Sequence, residues 1–469
     1  MRESDASSTP DRRRQPTEVA MIEESPRSQG LTRRAFVVLG TRRAVALGFA
    51  LSGAAAIGWA GARRAFASDQ AAEDAIAWQR LTSPRSPVEV LAAGSPGGPF
   101  GPLGPPDANG LRLPPGFRGR IVARSGKPVA GTRHVWHADP DGGAVFATDD
   151  GGWIYVSNAE ARPVGRGGAG AIRFDAEASI VDAYSILTNT TLNCAGGRTP
   201  WKTWLSCEER PGGRVFECDP FARGSQGVAR PALGLFQHEG VAIDPVGQRL
   251  YLTEDEPDGL LYRFTPDAYP SLVSGRLEAA EILDPEGRGP IVPGQSRPLA
   301  WHPIGDPSGR RRATRQQAPK ASRFNGGEGI DSLGGGPGGP HAGPQAGQSA
   351  SPIHFSTKGD DRIWQLDPRQ DRLSIRFDPR TTPSSALSGV DNVLAAPNGD
   401  VYVAEDGGDL QIVALTAAGA IVAVVQVVGH AGSEITGPAL SPDGRRLYFS
   451  SQRSPGTTFE VEGPFLSRD

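Results

Sequence analysis

Along most of the chain, short apolar runs alternate with polar residues at period two, and long helical periodicity is hard to find. Residues 235–257, LFQHEGVAIDPVGQRLYLTEDEP, show the unit. Val241 and Ile243 alternate as a strand, Asp244-Pro245-Val246-Gly247 reads as a turn, and Leu250-Tyr251-Leu252 reads as a second strand. The hairpin is bracketed by acids, Glu239 before it and Glu254, Asp255 and Glu256 after it. Related segments recur at GWIYVSNAE, KTWLSCEER, SPIHFSTKGDD, GDVYVAEDG and RRLYFSSQ. Their anchors, with Tyr251, are Tyr155, Trp204, His354, Tyr402 and Tyr448, and the successive spacings are 49, 47, 103, 48 and 46. Four of these match the roughly 40–50 residues of a propeller blade.

The long interval contains Pro- and Gly-rich stretches near 283–320 and 333–351 that read as insertions in one blade. Further strands follow most anchors, as in GAIRFDAE, GRVFECDP and DLQIVALT. Several short antiparallel strands per repeat cannot bury both faces alone but can when stacked radially. The pattern predicts an all-β chain with a six-bladed β-propeller over 116–469, seven blades being the alternative and a long β-sandwich the rival. The composition agrees: 62 Gly and 42 Pro with 7% aromatics indicate a turn-rich fold.

The N-terminus stands apart from this pattern. Twin arginines in LTRRAFVVLG and TRRAVALG precede an Ala- and Gly-rich stretch at 44–62, and Ala65-Phe66-Ala67 is a small-x-small cleavage signal. Residues 1–67 therefore read as a twin-arginine signal peptide, with an uncleaved membrane anchor as the alternative. Residues 68–115 read as an extension. The expectation is export by the twin-arginine translocase to a periplasmic or extracellular location, without lasting membrane association, as a monomer. The signal segment carries +5, so a whole-chain charge of −3 leaves −8 on the remainder. That acidity argues against a nucleic-acid partner. The three cysteines, Cys194, Cys207 and Cys218, leave at least one thiol outside any intramolecular disulfide.

Measured back from the anchors, Cys194, Glu239, Asp391 and Glu434 lie 10–14 residues upstream, and Glu328 joins them once the insertion is discounted. In a propeller these positions converge at one end of the central channel. Like charges so close resist joint ionisation, and metal ions are the usual remedy. Oxygen-only sets suit Ca²⁺, whereas a thiolate among carboxylates points to a transition metal. By the same register Cys207 and Cys218 are core residues rather than ligands.

NCAGGRTPWKTWLSCEE, FQHEG, LYLTEDEPDGLLYRFTP, FNGGEG and EITGPALSPDGRRLYFSSQ together resemble the PhoX-like alkaline phosphatase family. The resemblance implies a six-bladed propeller whose iron and calcium ions hydrolyse phosphate monoesters outside the cytoplasm. It marks Cys194 as an iron-bridging thiolate, Glu209, Glu239 and Glu328 as iron or calcium carboxylates, and Glu434 as a calcium ligand. Glu208, Glu209's neighbour in the Cys-Glu-Glu string, joins Asp391 among the candidate metal ligands. Cys194, Glu239 and Glu328 are the candidate catalytic groups. Asn158 and Glu160 stand where the family often has Asn-His-Glu, so Ala159 replaces the His, and Asn158 is a candidate substrate contact. Gly326 stands where family members commonly carry Arg, the natural clamp for phosphoryl charge. Arg263 and Arg323 are the candidate substitutes. The expected function is a phosphatase-like hydrolase acting on a small phosphorylated substrate. The alternatives are a calcium-dependent propeller lactonase-type hydrolase and a non-catalytic, metal-braced binding propeller.

Overall fold

The computed structural model describes residues 98–466 apart from 225, 334–350, 383, 385 and 454. The expected signal peptide, the first part of the extension and most of the 333–351 insertion lie outside the described residues. Among the described residues, α-helix is confined to the single turn Thr314–Gln317, and no helix is long and apolar enough to cross a membrane.

The expected all-β class holds. The described strands form antiparallel sheets in a propeller-like arrangement, four of them separate and one a continuous nine-stranded sheet. Within the first sheet, Pro140–Ala147, Trp153–Ala159, Gly167–Phe174 and Ile180–Thr190 pair in chain order. The same meander starts again at Asn193–Arg198, His238–Asp244, Gly327–Ser332, Val390–Ala395 and Ile435–Leu440. Each of these leading strands packs on the next, and Ile435–Leu440 packs back on Pro140–Ala147, closing a ring about the axis.

The last sheet holds Ile435–Leu440, Arg446–Ser451 and Thr457–Glu462, and takes its outer strand from the other end of the described chain. That strand, Arg118–Arg124, pairs with Thr457–Glu462 from Arg118↔Glu462 to Arg124↔Thr457. Leu111–Arg112, within the expected extension, already pairs with Ile421–Val427.

One expectation needs correction. The stretch near 283–320 reads as loop, yet Ser296–Pro303 is a strand lying between Ser271–Ile282 and Arg372–Phe377, and it joins two meanders into the nine-stranded sheet. Pro298 and Pro303 conceal it, because proline normally argues against a paired interior strand. Here pairing to Arg372–Phe377 spans only Ser296 to Pro298, so the ladder beyond needs no second N–H.

The apolar core lies between neighbouring sheets. Tyr155, Trp204, Tyr251, Tyr402 and Tyr448 sit on second strands and are no more than 2% exposed. Tyr155 stacks on Tyr448 at 5.1 Å across the first and last sheets, and Trp153 Nε1 donates to the Tyr448 hydroxyl at 2.9 Å. The regular anchor spacing therefore records one large buried aromatic side chain in five of the six repeats, with His354 at the equivalent place in the other.

Candidate metal centre

In each meander the first residue of the inner strand, or its neighbour, faces the last residue of the second strand. The pairs are Pro140↔Ala159, Asn193↔Glu208, His238↔Glu254, Gly327↔Thr357, Val390↔Glu405 and Ile435↔Ser451. Just beyond, every one of these ladders shifts register. Such bulges re-aim a side chain that would otherwise follow the strict alternation of the strand. The residues there are Asp141, Cys194, Glu239, Glu328 and Asp391, with Glu434 directly before the sixth strand. The second strands run back to the same end, where Glu160, Glu209, Asp255, Lys358, Asp406 and Gln452 follow them.

Potential ligand atoms come within 4.8 Å of one another in four overlapping sets: Asp141, Glu160 and Cys194; Cys194, Glu209 and Glu239; Glu239, Glu328 and Asp391; and Asp391, Asp406 and Glu434. Cys194, Glu239 and Asp391 are shared, so the sets join into one arc with a single thiol near one end and only carboxylates toward the other.

Close approach of the inner strands makes this arc possible. A Cβ on Gly240 would lie 3.0 Å from the Ile330 backbone nitrogen, and one on Gly329 would lie 2.6 Å from the Asn392 Cα. Side chains from second strands then tie the arc-bearing backbone down. The Asn158 amide donates to the Cys194 carbonyl at 3.0 Å and the Ala195 carbonyl at 2.8 Å, while its oxygen accepts from Trp204 Nε1 at 2.9 Å and Ser206 Oγ at 2.8 Å. Thr253 Oγ1 donates to the Glu328 carbonyl, and Ser356 Oγ to that of Asp391.

The charge balance of the arc demands cations. Glu239 is fully buried, accepts the Cys194 thiol at 3.1 Å on Oε1, and has no hydrogen-bond partner on Oε2. Burial, then Glu328, Glu209, Asp391 and Asp141, push its carboxyl well above the usual range. Burial followed by Asp141, Glu239, Glu209 and Glu160 does the same to the Cys194 thiol. A positive ion beside Glu239 Oε2 would satisfy an orphaned buried oxygen and let thiol and carboxyls ionise together. The residues present therefore fit a metal, and a thiolate with carboxylates suits a transition metal.

Among the described residues, Lys358 and Arg453 bring side-chain cations to the arc. Lys358 Nζ lies 3.1 Å from Glu328, 2.8 Å from Asp391 and 3.0 Å from Asp406. Arg453 bonds Glu434 and comes within 4.0 Å of Glu160.

Of the residues singled out from sequence, Cys194, Glu209, Glu239, Glu328, Asp391 and Glu434 lie together in the arc. Glu208 does not. Strand alternation turns it away from Glu209, and its carboxylate accepts from Thr191 N at 3.0 Å, Arg214 N at 3.2 Å and Arg210 Nη2 at 2.7 Å. Asn158 serves as the brace just described. Arg263 lies on Leu261–Ala268, held by Glu278 at 3.0 Å and Asp371 at 3.3 Å over the Trp301 ring. Arg323 is exposed and donates to the Arg315 carbonyl at 2.8 Å. Neither arginine has a hydrogen bond or ion pair to an arc carboxylate. Cys207 and Cys218 are buried in the apolar core.

Sequence reasoning missed Asp141, Asp406, Lys358 and Arg453, and left Glu160 out of the ligand set. Asp141 hides in Pro-Asp-Gly-Gly, which resembles a turn. Asp406 and Lys358 carried a usable signal, since each directly follows a second strand, as Glu209 does.

These features define a class, a propeller-like protein with an acidic, thiol-bearing cluster at one end of its axis. The family model for alkaline phosphatase PhoX matches residues 167–214 and 210–329, so the resemblance expected from the motifs is borne out and the chain is PhoX-like. Among solved structures it is similar to Pseudomonas fluorescens PhoX in complex with vanadate, a transition state analogue. The identity is 15%, covering 77% of this chain and 97% of that one with a TM-score of 0.62, a likeness of fold. It also matches XC5397 from Xanthomonas campestris, a gluconolactonase, at 13% identity, 78% and 98% coverage and a TM-score of 0.40. A search of curated proteins finds no match.

Proposed function

We propose that the chain is an exported, metal-dependent phosphatase of the PhoX type, built as a six-bladed propeller and acting on phosphate monoesters at the axial arc. The observation that carries this reading is the convergence of Cys194 with carboxylates from successive inner strands, in a chain whose PhoX match spans Cys194, Glu209, Glu239 and Glu328. The six-blade count treats the nine-stranded sheet as two blades linked by Ser296–Pro303. Export rests on the twin-arginine segment.

Asp141, Glu160, Cys194, Glu209 and Glu239 would hold a transition metal such as iron. Bound there, it would supply Lewis-acid charge to a phosphoryl oxygen. The oxygen-only sets have the donor type that calcium takes. The chain's own task is to hold these groups in place before substrate arrives. Asn158 and Thr253 fix the backbones of Cys194 and Glu328, which limits reorganisation during the reaction. Arg453, on the arc's rim and one-third exposed, is the guanidinium placed to meet an incoming phosphoryl group.

The test is hydrolysis of an aryl phosphate by the exported full chain, with elemental analysis of the same preparation. Turnover should vanish on chelation and return with metal. Cys194→Ser should lose the transition metal and at least about 100-fold in rate, since even groups behind the direct ligands are worth 10–100-fold. A folded, metal-replete chain that leaves aryl phosphate untouched would sink the phosphatase reading.

A further inference from the structure

We infer that Lys358 is a built-in cation that takes the place of a divalent ion in the oxygen-only half of the arc, so that bound metal is confined to the half containing Cys194. The inference rests on the metal-dependent reading of the arc but not on phosphatase activity.

Both oxygen-only sets meet at Lys358. Glu328 and Asp391 belong to one, and Asp391 and Asp406 to the other. The ammonium lies 2.8–3.1 Å from an oxygen of each of these three residues. Three carboxylates match the three N–H donors of a lysine, at hydrogen-bonding distances rather than the 2.3–2.6 Å of calcium coordination. A divalent ion drawing on the same oxygens would be forced against the ammonium, and two cations at that separation repel strongly in a buried site. In the thiol half, the Cys194 thiol donates to Glu239 Oε1 at 3.1 Å and Glu239 Oε2 has no hydrogen-bond partner among the described residues; Gln452 donates to Asp141 and Glu160, and Arg453 comes no nearer than 4.0 Å to Glu160.

The backbone explains how a lysine comes to be there. Lys358 follows the second strand Ile353–Thr357, the place that supplies the carboxylates Glu209 and Asp406 in other repeats. Its amide donates to the Gly326 carbonyl at 2.8 Å. Gly326 has φ +67, and a Cβ there would come 3.9 Å from Lys358 Cβ and 3.3 Å from Asp255 Oδ1. The cation of this part of the arc thus comes from 358, beside a position whose left-handed backbone disfavours any side chain.

Calcium counting on the full chain decides the matter. Wild-type protein and Lys358→Met are stripped with chelator, dialysed against calcium and analysed for bound ion, with thermal melting as a folding check. Lys358→Met should bind one more calcium per chain than wild type, and calcium should raise its Tm further. An equal or smaller count in folded Lys358→Met overturns the inference. Should that variant fail to fold, Asp406→Asn decides: an unchanged calcium count supports Lys358 as occupant, whereas loss of one ion shows that Asp406 was a metal ligand. Aryl phosphate turnover of wild type separates the two claims. A raised count without turnover removes only the phosphatase, and turnover with an unchanged count removes only the role of Lys358.

Discussion

Glu254 shows how little a carboxylate's identity says about its role. It closes the second strand one residue before Asp255, yet its side chain points into the sheet, accepting from the Tyr262 hydroxyl at 2.8 Å and Arg315 Nη1 at 3.1 Å. Burial outweighs both partners and pushes its carboxyl up to about 7. Below the unfolded value near 4.5, folded and unfolded chains both hold the proton. Between there and about 7 only the folded chain does, so stability falls as pH rises through this window, by up to about 3 kcal/mol. Glu254→Gln should flatten the dependence of Tm on pH between 5 and 7 relative to wild type. A variant that tracks wild type across that range would show that Glu254 ionises normally. Gly326 makes a second point at this scale. Its departure from the family's usual Arg is visible in sequence, but the left-handed backbone that makes any side chain costly there is visible only in the fold.

At the scale of the element, the recurring bulge brings the acids to the axis. Without a bulge, residues two apart share a face and the side chain before the core run would continue the alternation. The shifted register instead frees the second residue of five inner strands to join the arc. Small residues beside it let neighbouring strands touch. Gly329→Ala places a methyl 2.6 Å from the Asn392 Cα, a backbone atom that cannot rotate away. Overpacking of this kind costs about 1–3 kcal/mol. The variant should lose that much in a denaturant melt. Wild-type stability would show that the strands part without consequence.

For the whole molecule, closure is the decisive feature. The ring is sealed by Arg118–Arg124, which comes from the opposite end of the described chain to pair with Thr457–Glu462. Removing it exposes the edge of Thr457–Glu462 and the apolar surface now covered by Val122 and Ala123, both 5% exposed or less. A chain lacking residues up to 124 should therefore unfold at lower denaturant and bind metal weakly, since the first and last sheets supply Asp141 and Glu434 to opposite ends of the same arc. Unaltered cooperativity and metal content in that truncation would place the stability of the ring elsewhere.

By itself, the amino-acid order determined the all-β class, the repeat, the core aromatics and most members of the arc. These follow from strand alternation and from a spacing that sets one buried anchor and one axial residue per repeat. The placement of Cys194, Glu239, Asp391 and Glu434 was legible because each lies 10–14 residues before an anchor, and that of Glu328 once the insertion before His354 is discounted. Only the tertiary structure separated Glu209 from Glu208, since adjacent residues of a strand face opposite sides and composition is blind to which side is the channel. Only it found Ser296–Pro303, whose prolines obscure a strand that needs few donors. It also decided that Arg263 and Arg323 lie apart while Lys358 and Arg453 reach the carboxylates. Those charges come from sequence-distant repeats, and ring closure, a non-local event, is what sets them within a hydrogen bond of one another.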